Sequence, residues 1–148
     1  MITVLQRTSE AHVVVGKKII SKIKKGLVLL VGVYKGDDSL DVDKTVDKII
    51  NLRIFSDQDD KINLSIQDVD GEVMVISQFT LCGDIKKGRR PSFINAESPK
   101  KGLELYQYMV DRFRENGINT VTGEFGAMMD VSLINEGPTT FVINSKEL

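Results

Sequence analysis

Tryptophan is absent from this 148-residue chain, and cysteine and histidine occur once each. With Cys82 alone, no internal disulfide can form, and with His12 as the single histidine no His/Cys set has the spacing of a zinc site. Both absences point to a reducing compartment and to no structural metal. Long apolar runs are also missing. The longest, Leu27 to Val33, is broken by Gly32 and falls far short of the ~20 residues that span a bilayer, so no membrane partner is expected. Met1-Ile2-Thr3-Val4-Leu5-Gln6-Arg7 lacks the basic region and apolar stretch of a secretion signal, which leaves the cytoplasm as the expected location. Neither sign of charge dominates: 20 Lys and Arg against 21 Asp and Glu give a formal net charge of -1. A whole-molecule positive field that would hold DNA through counterion release is therefore excluded, and any RNA contact must be local.

What is present suits an ordinary globular protein. A composition 41% hydrophobic and 28% charged supports one packed core, so residues 1–148 are expected to form a single domain that folds unaided unless it dimerises. Val4 to Arg7, His12 to Val15 and Lys18 to Ile23 are short apolar or alternating runs separated by polar residues, the pattern of antiparallel strands. The continuous apolar run from Leu27 to Tyr34 predicts a central strand buried on both faces. Val42, Val46, Ile49 and Ile50 form the stripe of an amphipathic helix between Asp41 and Arg53, with Ser39 or Asp38 as its N-cap. A second helix starts at Ser98-Pro99, presents Leu103, Tyr106, Met109, Val110 and Phe113, and ends at Asn116-Gly117. Strands resume at Glu72 to Thr80, Val131 to Ile134 and Thr140 to Ile143. Two helices among mainly antiparallel strands give the α+β class.

Two segments can carry chemistry. Val73 to Leu81 begins as a buried strand and turns polar at Ser77-Gln78-Phe79-Thr80. Strand alternation places Ser77 and Phe79 on one face and Gln78 and Thr80 on the other, where they either face a pocket or bond their own backbone. In the second segment, Asn135-Glu136-Gly137-Pro138-Thr139 lies between two apolar runs. It reads as a plain hairpin turn or as a cis Gly-Pro bond, and composition does not decide between them.

Together these segments resemble the paired Ser-Gln-Phe-Thr and Asn-X-Gly-Pro signatures of the D-aminoacyl-tRNA deacylases. Further similarity follows in the family's order at Gln6-Arg7, Leu52 to Asp57, Gly88 to Phe93 and Thr122 to Met129, covering nearly the whole chain. Thr8 and Thr139 depart from positions that are often valine in the family. Phe79 favours the D-specific branch over a related group that edits other mischarged tRNAs.

The resemblance implies a barrel-like core packed with two principal helices. It also implies a homodimer with the active site at the subunit interface, acting on the 3′ acceptor end of aminoacyl-tRNA without organic cofactor or metal. Ser77, Gln78, Phe79 and Thr80 become the catalytic segment, with backbone N-H groups around Phe79 and Thr80 near the scissile carbonyl. Gly137-Pro138 is implied to be cis and to reach into the partner's site, where its carbonyls reject an L side chain. Arg7 would steady that backbone, and Met129 would lie near the pocket. A steric filter of this kind passes glycine, so glycyl-tRNA mischarged on tRNA(Ala) is an expected substrate.

Thr80 is the obvious nucleophile, but no adjacent residue can take its proton. Water attacking with help from the terminal ribose 2′-hydroxyl needs no protein base. Lys86-Lys87-Gly88-Arg89-Arg90 is the densest positive run, and Lys86, Lys87, Arg89 and Arg90 either contact acceptor-end phosphates or are simply solvated. Cys82 reads as an inert small residue beside the pocket. The same fold could serve as an RNA-binding module without catalysis, or as a structural dimer; D- and L-tyrosyl-tRNA separate these readings.

Overall fold

The computed structural model describes residues 1–86 and 88–148. Its spine is β1 (Ile2–Val15), which hydrogen-bonds antiparallel to β2 (Lys18–Ile23), β3 (Gly26–Gly32) and β8 (Met129–Asn144) along different parts of its length. The order continues through β6 (Glu72–Ser77) and β7 (Thr120–Thr122), both added in parallel, to give the path β2-β1-β3-β6-β7 with β8 also on β1. A separate two-stranded ribbon pairs β4 (Phe55–Ser56) with β5 (Ile62–Leu64). The main sheet curls into a nearly closed, barrel-like α+β structure with helices α1 (Ser39–Asn51) and α2 (Pro99–Glu115) on its outer face.

The parallel pairs explain why β3 and β6 are continuous apolar runs. Leu27, Leu29, Val73 and Val75 face the helices, where they join Ile49, Met109 and Phe113. Val28, Met74 and Ile76 point the other way and pack with Ala11, Val13 and Ile23. Burial on both faces is what a run without alternation encodes. The close start of the β3–β6 pairing depends on Gly26, where a Cβ would lie within 1.9 Å of the Glu72 carbonyl oxygen.

Both helices have clear chemical starts. Asp38 caps α1 by accepting hydrogen bonds from the Leu40 and Asp41 N-H groups, and the Asp41 carboxylate accepts from the Asp38 N-H to complete a capping box. The inner face of α1 buries Val42, Val46, Ile49 and Ile50. In α2, Pro99 occupies the first turn, whereas Ser98 makes no side-chain capping bond. Tyr106, Met109, Val110 and Phe113 are buried, Leu103 is only partly so, and Gly117 at φ 78° follows the helix end.

Three strand assignments differ from the sequence pattern. The runs around Val4 and His12 are one strand, because the polar residues Ser9 and Glu10 sit in a register irregularity rather than a turn. The Thr8 hydroxyl bridges the Glu10 N-H and carbonyl there. The strand expected from Glu72 to Thr80 stops at Ser77, and Phe79–Cys82 form a 3-10 turn. The runs 131–134 and 140–143 do not fold back as a hairpin. Both lie along β1, with Ile2 opposite Asn144 and Val15 opposite Met129, and 136–139 stand out between them as a bulge. Local turn propensity misled here because long-range pairing with β1 decides the direction of the chain.

Candidate active site

The abrupt end of β6 shapes the site. Gln78 has left strand geometry at φ -142° and ψ 72°, and its N-H donates to the Val31 carbonyl at 2.7 Å, so the next residues turn outward over the end of the sheet. The alternation expected for Ser77 to Thr80 is therefore lost. All four residues instead border one cavity of about 620 Å³, lined on its far side by Tyr106 of α2, the Phe125–Met129 segment and Val131. Phe79 is 60% exposed at the mouth and meets Phe93 edge to face, with ring centroids 5.1 Å apart.

The start of the 3-10 turn leaves main-chain donors unused. Leu81 N-H donates to Gln78 and Gly83 N-H to Thr80, but the N-H groups of Phe79 and Thr80 have no acceptor within the chain among the described residues. First-turn N-H groups are free for geometric reasons, and two of them beside a cavity are chemically able to donate to an oxygen that acquires negative charge. The Thr80 hydroxyl accepts a hydrogen bond from the Gln78 amide.

Neither titratable group lining this cavity is tuned as a base near neutral pH. The Ser98 N-H, at 2.6 Å, outweighs partial desolvation and holds the Glu97 carboxyl below its ordinary value, with Lys101 assisting. Burial pushes the Tyr106 phenol up to about 12, and its hydroxyl donates to the Val75 carbonyl at 2.8 Å. Glu97 is thus too weak a base and Tyr106 too weak an acid for efficient proton transfer. Across the cavity, the Met129 sulfur accepts from the Glu124 N-H at 3.3 Å and packs on Gly123 so closely that a Cβ there would lie within 2.6 Å. Met129 thereby fixes the turn that forms one wall.

Gly137-Pro138 is a cis peptide in the exposed bulge of β8, with Gly137 at φ 116°. Asn135 braces the bulge: its side-chain oxygen accepts from the Thr139 N-H at 3.0 Å, and its amide donates to the Thr140 hydroxyl at 2.9 Å. Arg7, nearly buried in β1, packs its guanidinium against Gly137. Its hydrogen bond goes to the Ile54 carbonyl at 2.6 Å rather than to the Gly-Pro backbone, and its Nε lies 3.4 Å from the Glu136 carboxylate as an ion contact without hydrogen-bond geometry. Arg7, Gly137 and Pro138 do not line the 620 Å³ cavity.

Lys86, Arg89 and Arg90 are exposed and also lie outside the cavity lining, while Lys87 falls outside the described residues. Among the described residues no group of three His, Cys, Asp or Glu side chains is placed to hold a metal ion. No helix among them is long and apolar enough to cross a membrane. Sequence reasoning did not single out Tyr106 or Glu97 as cavity residues, since a helical stripe and a loop carboxylate have no local signature of a site. Asn135 was visible only as part of its motif.

Residues 4–144 match the family described as D-Tyr-tRNA(Tyr) deacylase. The chain is 49% identical to a D-aminoacyl-tRNA deacylase of Aquifex aeolicus and 53% identical to one of Persephonella marina, each over the full length of both chains. Among solved structures, the c-Myc DNA Unwinding Element Binding Protein superimposes with a TM-score of 0.91 at 33% identity, over 97% of this chain and 98% of the other. A probable eukaryotic D-amino acid tRNA deacylase shares the fold at a TM-score of 0.80 and 17% identity, over 96% and 98%. With the family matched from the first strand to the end of the last and two full-length relatives near 50% identity, the chain belongs to the D-aminoacyl-tRNA deacylases, hydrolases that act on an ester bond.

Proposed function

We propose that the protein proofreads chirality in translation in the cytoplasm, freeing D-amino acids from tRNA as a homodimer in which each cavity is completed by the Gly137-Pro138 bulge of the other copy. One observation carries this reading: the bulge is braced by Asn135 and packed on by Arg7, yet it is exposed and lies outside the lining of its own chain's cavity. A braced backbone projection whose outer side is exposed fits a second molecule. Ile134, Phe141 and Val142 flank it on β8 at 53, 42 and 67% exposed, an apolar surface that a copy of the same chain would cover.

In this arrangement the ester carbonyl sits at the Ser77–Thr80 turn, with its developing oxyanion facing the Phe79 and Thr80 N-H groups. The cavity offers no tuned base, so water attacks with proton transfer assisted by the ribose 2′-hydroxyl of the substrate. The partner's Gly-Pro carbonyls block an L side chain and leave a D side chain free. Exclusion by collision cannot act on a missing side chain, so glycyl-tRNA mischarged on tRNA(Ala) is also hydrolysed. Lys86, Arg89 and Arg90 stand ready for acceptor-end phosphates.

The test is hydrolysis of D-tyrosyl-, L-tyrosyl- and glycyl-tRNA by the purified protein, with its mass measured in solution. D and glycyl esters should be cleaved and the L ester spared by a dimer. Equal cleavage of both enantiomers, or a monomer that discriminates them, would end the proposal.

A further inference from the structure

The aromatic pair at the cavity mouth exposes more ring surface than the hydrolysis described above requires. Phe79 belongs to the lining and is 60% exposed; Phe93 lies just outside the lining and is 39% exposed. The backbone of Phe93 is fixed on both sides. Ser92 exchanges two main-chain hydrogen bonds with Asp84, at 2.8 and 2.9 Å, and the Phe93 carbonyl accepts from the Ala96 N-H at 3.0 Å. One edge of the ring packs on Gly83 so closely that a Cβ there would lie 2.9 Å from Cε1. A ring held in this way is already ordered, which lowers the cost of stacking a ligand on it.

The Asp84–Ser92 pair also closes the segment that carries the chain's densest positive run. Lys86, Arg89 and Arg90 within it are exposed, and none forms an ion pair among the described residues. Its one carboxylate, Asp84, accepts from the Lys86 main-chain N-H at 2.9 Å. Exposed rings beside cations are the recognition elements of single-stranded nucleic acid, because bases stack on the rings while phosphates meet the charges. A tRNA ends in the unpaired sequence CCA. With its terminal adenosine ester at the Ser77–Thr80 turn, the preceding nucleotide must leave over the mouth, where Phe79 gives way to Phe93. Resting on the functional reading above, we infer that Phe93 is a stacking platform for the penultimate cytidine of the tRNA, with Lys86, Arg89 and Arg90 serving its phosphates. Two other roles compete: a brace for Phe79 alone, or an apolar contact for a second copy of the chain together with Ile85 and Ile94, which are 76 and 70% exposed.

Phe93→Leu separates the three, since it keeps an apolar side chain and removes the ring. Its effect is read on four D-tyrosyl esters: those of tRNA, of the dinucleotide CpA, of the same dinucleotide without its cytosine base, and of adenosine. Wild-type kcat/KM should be roughly 5- to 100-fold higher for the CpA ester than for the base-less one, the worth of one base–aromatic stack. Phe93→Leu should erase that difference, lower the tRNA ester by a similar factor and leave the base-less and adenosine esters unchanged, while Phe93→Tyr restores the wild-type pattern. An equal loss on all four esters would make Phe93 a brace for the turn, and loss of self-association in Phe93→Leu would make it a subunit contact; either overturns the inference. So does a base effect that survives in the variant. Should Phe93→Leu fail to fold, the wild-type comparison still decides, because equal rates on the CpA and base-less esters leave no stack to explain. Wild-type protein inert toward D-tyrosyl-tRNA would overturn the functional reading and this platform with it; D-selective wild type without a base effect overturns the platform alone.

Discussion

Arg7 and Gly137 are in contact across the sheet so tightly that a Cβ on Gly137 would lie 2.9 Å from Nη2 of Arg7, and 2.7 Å from the Thr139 hydroxyl. Gly137 also has φ 116°, a region that side chains of L residues rarely enter. Gly137→Ala should therefore lower stability by about 1–3 kcal/mol and displace the bulge. Urea unfolding measures the first effect. If the bulge is the chiral barrier, the D-to-L ratio of tyrosyl-tRNA hydrolysis should shrink at the same time, and an undiminished ratio would detach this element from selectivity.

A buried charge cluster governs the response to acid. Asp41 is 5% exposed, and burial alone would raise its carboxyl value, yet hydrogen bonds from Lys146, Ser145 and the Asp38 N-H prevail and bring it down to about 2. The carboxylate thus stabilises the fold fully above its unfolded value near 3.8, and this contribution is lost as pH falls toward 2. Allowing for screening at the exposed Lys146 amine, the contribution is about 1–2 kcal/mol. Denaturation midpoints should be flat with respect to this group above pH 5 and fall between pH 4 and pH 2, roughly the interval between the two pKa values. Lys146→Met should flatten that fall, and an identical acid profile would show that Asp41 is not its source.

The parts of the fold legible in the sequence were those in which local pattern and tertiary packing agree. β3 was visible because burial on both faces removes alternation, and α2 because its apolar stripe starts at Pro99 and ends before Gly117. β8 was misread because Gly137-Pro138 looks like a turn, whereas pairing to β1 on both sides keeps the chain running in one direction. Only the resemblance singled out Ser77 to Thr80, whose polarity at a strand end was legible as either a pocket face or local bonding to the backbone. Their geometry was not, because the switch to a 3-10 turn depends on the Gln78 to Val31 hydrogen bond with a strand 47 positions earlier in sequence. Tyr106 escaped notice since a phenol on a helical stripe reads as core until the opposite wall is known.

Cys82 illustrates a group kept inert by its surroundings. It is 2% exposed, and burial first, with the Asp37 carboxylate second, pushes its thiol up to about 11, while its sulfur donates weakly to the Val33 carbonyl at 3.4 Å. Thiolate is the reacting form, so almost none exists at neutral pH. Native protein should resist N-ethylmaleimide at pH 7.5 for hours and react at once in denaturant, as mass spectrometry would record. Rapid labelling of the native state, with unfolding excluded by circular dichroism, would contradict this environment.

Thr80 allows the two routes of ester hydrolysis to be separated. If its hydroxyl were the nucleophile, Thr80→Ala would remove the reacting atom, and activity would collapse by several orders of magnitude as it does for other covalent catalysts. If main-chain N-H groups hold the oxyanion and water attacks, the same substitution removes only the oxygen that anchors the Gln78 amide and leaves both donors in place. The expected result is a fall in kcat of less than about tenfold, because loss of an oxyanion donor itself typically costs 10²–10³. Replacing the substrate's terminal 2′-hydroxyl by hydrogen, with the amino acid held on the 3′ position, should then cost far more than Thr80→Ala. The opposite ranking, with tRNA affinity and melting temperature unchanged in the variant, would make Thr80 the nucleophile.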